Sequence, residues 1–195
     1  MRLPARGDLC AMIRNCRLVP VLAVGGALSC GGDRGNSQAV AALLETYAPG
    51  LHIGQTVLSA KASLPGVYFP GGSSNLEDTT ISKVDQFQRL VLLLTMPEYD
   101  MPPADDDVVT AVELWSTDSS TPALAEARLL GVFHRPPKTG CLVSPGGKAL
   151  SQVRYWIDGD YGAALETPIS NHRWTALLTI FHGSWGGERL VKDCP

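Results

Sequence analysis

Residues 182–187, with the sequence HGSWGG, form the arrangement closest to a catalytic motif in this chain. Hydrolases place a nucleophilic serine in Gly-x-Ser-x-Gly on a sharp strand-to-helix turn, where Ser184 would attack an acyl carbon. His182 stands where that motif has its first glycine, and no histidine follows Ser184. Because His134, His172 and His182 precede the serine, only another fold could assemble a triad from them. We interpret the segment as a turn after the last strand, predict no catalytic residue, and keep a serine hydrolase at Ser184 as an alternative.

Two acidic segments offer carboxylates, the ligands that hard cations such as calcium prefer. Residues 105–107 are three adjacent aspartates, without the alternate spacing and closing glutamate of a calcium-binding loop. Asp158 and Asp160 flank Gly159, a combination typical of a tight hairpin turn. The four histidines of the chain show no spacing with a carboxylate that is typical of zinc sites. The sequence therefore predicts neither a metal site nor a cofactor.

Aromatic residues are the remaining candidates for binding. Arg154 and Tyr155, beside Trp156, could form a cation–π or ligand-stacking surface, or they could alternate between the two faces of a strand. We expect three tryptophans in the core or in a cluster on the sheet, and a fourth to be exposed; these are Trp115, Trp156 and Trp174, and then Trp185. A pocket between sheet and helices lined by tryptophans would indicate a small-molecule or lipid binder.

The chain begins with the pattern of a secretory leader. Arg14 and Arg17 precede an apolar run at residues 18–29, which has the length of a signal sequence and is shorter than the roughly 20 residues of a membrane-spanning helix. Translation could start at Met1 or at Met12. We predict that residues 1–29 are a signal peptide and do not belong to the folded domain.

Ala27, Leu28, Ser29 and Cys30 end this apolar run and resemble the lipobox of bacterial lipoproteins. Ser29 fits the small residue that precedes the cysteine, whereas Ala27 stands where leucine is usual. In that family the cysteine is diacylated and becomes the first mature residue. The resemblance implies a lipid anchor at Cys30, a tether at residues 30–36, and localisation in the bacterial cell envelope on the periplasmic or extracellular face. Plain secretion is the alternative.

Charge and cysteine content describe the mature chain further. Without the leader's four arginines and one aspartate, the 16 basic and 19 acidic residues become 12 and 18, a net charge of −6. This balance argues against a nucleic-acid partner, which would require a basic surface. Of the five cysteines, Cys10 and Cys16 lie in the leader, and an acylated Cys30 would leave Cys141 and Cys194. An even remainder in an exported protein predicts a disulfide, with two separate thiols as the alternative.

Hydrophobic periodicity predicts an α+β domain over residues 37–195, with about three helices on one face of a mostly antiparallel sheet. Ser37 begins a helix with Val40, Leu43, Leu44 and Tyr47 on one face, and Thr56 caps a second helix at residues 57–63. A third helix runs from Ser120 to about His134. Strands are predicted at residues 87–95, 108–116, 152–158, 161–167 and 173–182, and loops at residues 70–78 and 97–107.

Residues 50–66 include the turn Ile53-Gly54-Gln55-Thr56 and resemble the small outer-membrane lipoprotein domains of the SmpA/OmlA type and the related β-lactamase-inhibitor-like fold. Gln55 stands where methionine is common in that turn. Those proteins assist envelope assembly or bind proteins and are not enzymes, so the resemblance implies a non-catalytic role. Our leading hypothesis is a lipid-anchored envelope protein that binds a protein or another envelope component, and the alternative is a small-molecule or lipid binder.

Overall fold

The computed structural model describes residues 38–71, 75–79, 81, 83–95, 101–170, 172–186, 190–191 and 194. All of them belong to one compact unit, Gly35–Pro195. The predicted signal peptide, the lipobox with Cys30, the tether and the Ser37 cap lie outside the described residues. Among the helices that are described, none is long and apolar enough to cross a membrane.

Three α-helices form where apolar residues recur at spacings of three and four: α1 (Gln38–Tyr47), α2 (Val57–Ser63) and α3 (Thr121–Phe133). The four residues predicted for the inner face of α1 are all buried. Thr56 caps α2 as predicted, since its side chain accepts a hydrogen bond of 3.3 Å from the backbone N–H of Ser59. In α3 the buried positions include Leu129 and Phe133, whereas Leu124 is exposed.

An eight-stranded antiparallel sheet, in the spatial order β1-β2-β3-β7-β6-β5-β4-β8, packs against these helices and confirms the α+β class. The strands are β1 (Leu76–Asp78), β2 (Arg89–Leu94), β3 (Val109–Ser116), β4 (Lys138–Val143), β5 (Ala149–Asp158), β6 (Tyr161–Pro168), β7 (Ala176–His182) and β8 (Leu190–Val191). The predicted hairpin turn lies between β5 and β6, where Gly159 has a φ of 62°.

Three parts of the sheet differ from the prediction. Residues 76–78, predicted as loop, form β1, which pairs with β2. The strand predicted at 173–182 begins only at Ala176, so Trp174 precedes it. Strands β4 and β8 were not predicted, because Lys138 and Gly140 break the apolar pattern of β4 and β8 is only two residues long. Pairing with neighbouring strands, which periodicity does not reveal, orders these segments.

Strand alternation gives the sheet two different faces. The helix-facing side carries the larger core, in which Leu90, Leu114 and Leu178 pack against α1, α2 and α3. The opposite side carries a smaller cluster around Ala111, Val153, Ala164 and Phe181. Trp156 is a core tryptophan at 1% exposure, and its Nε1 donates a 3.0 Å hydrogen bond to the backbone carbonyl of Arg135.

The disulfide lies near the edge of the sheet that β4 and β8 form. Cys141 on β4 is bonded to Cys194, with a distance of 5.3 Å between their Cα atoms, as the cysteine content predicted. Strand β8 precedes Cys194 in the chain and pairs with β4, the strand that carries Cys141. A Cβ atom at Gly140 would lie 2.6 Å from the backbone oxygen of Val191, so glycine allows the two backbones to approach this closely.

A partly buried polar contact joins two of the helices. Tyr47 donates a 2.7 Å hydrogen bond from its hydroxyl to Asp85 Oδ2, and Arg128 binds both carboxylate oxygens of Asp85. Asp85 lies in the one-turn 3-10 helix Val84–Gln86 with a φ of 51°, in the left-handed region. We call Tyr47, Asp85 and Arg128 the polar triad; it ties α1, α3 and the 3-10 helix together.

Candidate functional site

An open cleft lies where β2 and β3 meet the segment that leads into β7. Its volume is about 250 Å³. We call it the tryptophan cleft; the lining residues are Gln88, Arg89, Trp115, Ser116, Thr117, Arg173 and Trp174. They include two of the four tryptophans and two guanidinium groups, side chains that are common in ligand-binding surfaces.

Strand pairing positions one wall of the cleft. Arg89 on β2 lies directly opposite Trp115 on β3. Because successive side chains alternate across a strand, Trp115 lies on the face opposite to Leu114, whose side chain belongs to the helix-facing core. The sheet therefore holds Arg89 and Trp115 side by side, away from the helices.

Hydrogen bonds fix the segment that carries the second tryptophan. Thr175 donates from its backbone N–H to the Ser116 carbonyl at 2.8 Å, and from its hydroxyl to the Asp118 carbonyl at 2.6 Å. Trp174, the preceding residue, is thereby held close to the end of β3. Its indole ring meets that of Trp115 edge to face, with ring centroids 5.7 Å apart and an angle of 84°. His172 stacks on Trp174, with a centroid distance of 5.7 Å.

The charged groups around the cleft are not equivalent. The Arg89 guanidinium lies over the Trp115 ring, 5.9 Å from its centroid, and forms an ion pair with Glu77. Arg173 is exposed and has no ion-pair partner in the part of the chain that the structure describes. Glu113 accepts a 3.2 Å hydrogen bond from Trp115 Nε1. Arg173 is therefore the charge that remains available to a ligand.

Glu113 lies beneath Trp115 on the outer face of the sheet, and burial raises the pKa of its carboxyl, although Trp115 and Arg89 act in the opposite direction. Since the folded protein holds this proton more tightly than the unfolded chain, the charged carboxylate opposes folding above its folded pKa. We expect Glu113→Gln to match or exceed the wild-type free energy of unfolding at pH 7, because its amide oxygen can still accept from Trp115.

Any gain in unfolding free energy of Glu113→Gln over wild type should disappear as the pH falls through the raised pKa of Glu113 towards the unfolded value of about 4.3. Urea unfolding of both proteins at neutral and acidic pH measures the difference. A glutamine variant that is clearly less stable than wild type at pH 7 would contradict the expectation.

A second depression adjoins the cleft and shares Trp174 with it. Its volume is about 380 Å³. Trp174 and His172 form its aromatic part; four residues with hydroxyl groups, Ser119, Thr167, Ser170 and Thr175, and three apolar ones, Pro122, Pro168 and Ile169, form the rest. We call it the hydroxyl-lined depression. Trp174 is thus a wall shared by two neighbouring concave surfaces.

Ser184 lies in the exposed turn after β7, as the sequence predicted for this segment. The ring of His182 at the end of β7 packs against Tyr161, with centroids 4.7 Å apart. No hydrogen bond among the described residues joins Ser184 to a histidine, and Gly187 lies outside those residues. The described part of this turn therefore gives no support to the hydrolase alternative.

The acidic segments have structural contacts. Asp105 forms an ion pair with Lys61, and Asp107 Oδ2 accepts a 2.8 Å hydrogen bond from the backbone N–H of Ala104. Asp158 and Asp160 belong to the β5–β6 hairpin. Within the described ranges, no three His, Cys, Asp or Glu residues group in a way that could hold a metal ion.

The other aromatic candidates are used within the fold. Arg154 forms an ion pair with Glu126 of α3, whereas Tyr155 packs against the cluster on the opposite face of the sheet and Trp156 is buried, so Arg154 and Tyr155 alternate across the strand and do not form one ligand-stacking surface. Trp185, expected to be exposed, is partly buried and stacks on Phe181 with a centroid distance of 6.0 Å. The expected cluster on the sheet consists of Trp115 and Trp174 alone.

A third concave surface lies between the start of α1, the end of α3 and the β5–β6 turn, with a volume of about 490 Å³. His134, Arg135 and Asp158 contribute to it, but no tryptophan does. Arg135 already donates a hydrogen bond to the backbone carbonyl of Ile157. This third concave surface therefore offers less ligand-binding chemistry than the tryptophan cleft.

Sequence reasoning identified Trp115 and Trp174 as a possible cluster but missed Arg89 and Arg173. The position of Arg89 depends on the register of β2 against β3, which a single sequence does not state. Comparison of the chain with protein-family models, curated proteins and solved structures finds no match. The geometry of the site is therefore the main guide to its ligand.

Proposed function

We propose that this protein is a non-catalytic, lipid-anchored binding protein of the bacterial cell envelope, and that the tryptophan cleft is its binding site. The observation that carries the proposal is the pair of perpendicular, partly exposed indoles beside the guanidinium of Arg173, which has no ion-pair partner among the described residues. Rigid aromatic side chains contribute large contact areas and lose little conformational freedom on binding, and arginine adds directional hydrogen bonds to anions.

The Cys141–Cys194 disulfide supports the location, because disulfides persist in oxidising compartments outside the cytosol. The lipid anchor itself rests on the resemblance of residues 27–30 to a lipobox. The two parts of the proposal are therefore tested separately.

The size of the cleft favours a large ligand over a small one. Sites for small molecules usually enclose about 300–1,000 Å³ and bury most of the ligand. The tryptophan cleft is smaller, at about 250 Å³, and open to solvent. The interface between helices and sheet, where a lipid pocket was the alternative, is filled by buried apolar side chains. We therefore favour partial recognition of an extended molecule.

The anchor is tested by the intact mass of the full chain after expression in a bacterium and recovery from the membrane fraction. We expect a protein that begins at Cys30, carries acyl chains, and gains about two mass units on reduction. The Cys30→Ala variant should lack the acyl mass. A soluble, unmodified chain that begins at Met1 or Met12 would refute the anchor.

The cleft is tested in the same cells with a photo-crosslinking amino acid at Thr117, on its rim, or at Leu130, an exposed position on α3. We expect an adduct with an envelope component from position 117 and none from position 130. Trp174→Ala should abolish the adduct, whereas Trp185→Phe should retain it. Equal adducts from both positions, or adducts that do not depend on Trp174, would refute the cleft as the binding site.

A further inference from the structure

We infer that the ligand of this site is a linear chain of sugar residues bearing carboxylate groups, which crosses Trp174 from the tryptophan cleft into the hydroxyl-lined depression. The inference rests on the proposed function, because it names the class of ligand that the same cleft would bind.

The shape of the site favours a ligand of several rings. Trp174 lines both concave surfaces, whose volumes are about 250 and 380 Å³. A ligand that filled only one of them would leave the part of this side chain that lines the other exposed to water. A chain of several rings can occupy both surfaces and cover Trp174 between them, which increases the apolar area that binding removes from water.

The side chains that line the two surfaces are suited to a sugar ring. A sugar ring presents a flat C–H surface, which packs on an indole face, and a rim of hydroxyl groups. Beyond Trp174, the hydroxyls of Ser119 and Thr167 have no hydrogen-bond partner among the described residues. On the other side, Gln88 and Thr117 bind each other at 2.9 Å and offer an amide and a hydroxyl at the rim. Flat aromatic surfaces with hydroxyls and an amide around them match both parts of a sugar.

The charge of the lining favours an acidic ligand. Among the described residues that line the two concave surfaces there is no carboxylate, although acidic residues outnumber basic ones in the chain. Arg89 is already paired with Glu77, whereas Arg173 has no ion-pair partner in the described part of the chain. A guanidinium binds a carboxylate through two parallel hydrogen bonds, so Arg173 is suited to an acidic sugar.

An acidic peptide could also pair with Arg173. Peptides recognised in an extended form usually add a strand to a sheet edge or place apolar side chains in pockets. The cleft lies where β3 is paired on both sides, with β2 and with β7, so it has no free strand edge there. The lining thus favours the glycan over the peptide.

The test uses the full chain recovered from membranes in detergent, with three soluble probes: a galacturonate hexamer, cellohexaose as the neutral chain, and a hexapeptide of glutamate. Calorimetry and tryptophan fluorescence measure the binding. We expect the galacturonate hexamer to bind at least about tenfold more tightly than the other two, because only it offers both rings and carboxylates. A galacturonate dimer, too short to cover both surfaces, should bind more than about tenfold more weakly than the hexamer.

Two variants and one control separate the contributions of the indole and the guanidinium. Trp174→Ala should abolish binding of the hexamer. The control Trp185→Phe removes an indole outside the site and should leave binding of the hexamer unchanged. Arg173→Gln, at an exposed position, should reduce the affinity for the galacturonate hexamer to that for cellohexaose. Circular dichroism melting curves confirm that each variant is folded.

Equal binding of the galacturonate hexamer and cellohexaose would overturn the role of charge, and tighter binding of the glutamate peptide would assign an acidic peptide instead. If none of the probes binds but the Thr117 adduct still depends on Trp174, the glycan inference fails and the proposed binding site stands. If the adduct is lost as well, the proposed function fails.

Discussion

Replacing Cys194 with serine is expected to lower the free energy of unfolding by about 4 kcal/mol, the chain-entropy value for cross-linking residues 53 positions apart. The native state should change little, because Cys194 is exposed and a serine hydroxyl there remains hydrated. Cys141 stays buried, where a free thiol behaves as a small apolar group. Guanidinium unfolding under non-reducing conditions measures the loss.

The wild-type protein treated with reductant is the matched control for this variant. Its unfolding midpoint should move to that of Cys194→Ser, whereas the reductant should leave the variant unchanged. Amide exchange in β8 should accelerate in both, because the disulfide lies next to the described pairs of β8 with β4, Cys141↔Val191 and Leu142↔Leu190. A variant within about 1 kcal/mol of wild type would indicate that the disulfide does not restrict the unfolded chain as the entropy argument requires.

Local sequence signals predicted the helices and the β5–β6 hairpin, because caps, apolar spacing and turn residues within each segment indicate its conformation. The cap at Thr56 and the spacing of the apolar residues in α1 indicate helices without knowledge of any tertiary contact. Gly159 between Asp158 and Asp160 defines the β5–β6 hairpin in the same way, since its positive φ is what such a turn needs. The order of the predicted helices and strands along the chain, with the hairpin, was the basis of the α+β assignment.

The elements that the sequence did not reveal are ordered by distant partners. Strand β1 has three residues and exists because Leu76 pairs with Leu92 of β2. Strand β8 has two residues and is held by its pairing with β4 and by the neighbouring disulfide. Neither segment has a pattern long enough to identify a strand, so the information lies in the pairing.

In the candidate site, too, local sequence patterns indicated only part of the arrangement, and pairing with distant strands determined the rest. Trp174 shares the period-two pattern of Ala176 and Leu178, which predicts a core position on the strand. The strand begins only at Ala176, so that pattern does not apply to Trp174, and the indole turns towards Trp115 and lines the cleft. Composition identified the aromatic residues, but the boundary of β7 and the register of β2 determined which of them line the cleft.

Replacing Asp85 with asparagine is expected to cost about 2–3 kcal/mol of unfolding free energy, the largest effect that we expect from a single polar side chain. The Asp85 carboxylate is 9% exposed and accepts hydrogen bonds from Tyr47 and from two nitrogens of Arg128. Loss of one partner of a fully buried ion pair costs about 3–5 kcal/mol. The expected value is lower because Arg128 is 36% exposed and water screens its charge.

Asparagine isolates the charge from the backbone. Asp85 has a φ of 51°, in the left-handed region, and asparagine adopts that region as readily as aspartate does. The variant therefore keeps the turn of the 3-10 helix and loses only the negative charge and one acceptor. Glu45→Gln, at an exposed position on α1, is a matched control that should leave the stability unchanged.

The pH dependence distinguishes charge from packing. The Arg128 guanidinium, assisted by the Tyr47 hydroxyl, holds the pKa of Asp85 below its usual range, although burial acts against this. A depressed pKa in the folded state means that the contribution is fully present above the unfolded value of about 3.9 and is lost as the pH falls through the folded pKa. The difference between wild type and Asp85→Asn should therefore be large at pH 7 and shrink towards pH 2. A difference that is the same at both pH values would mean that the shape of the side chain, and not its charge, holds α1 and α3 together at this point.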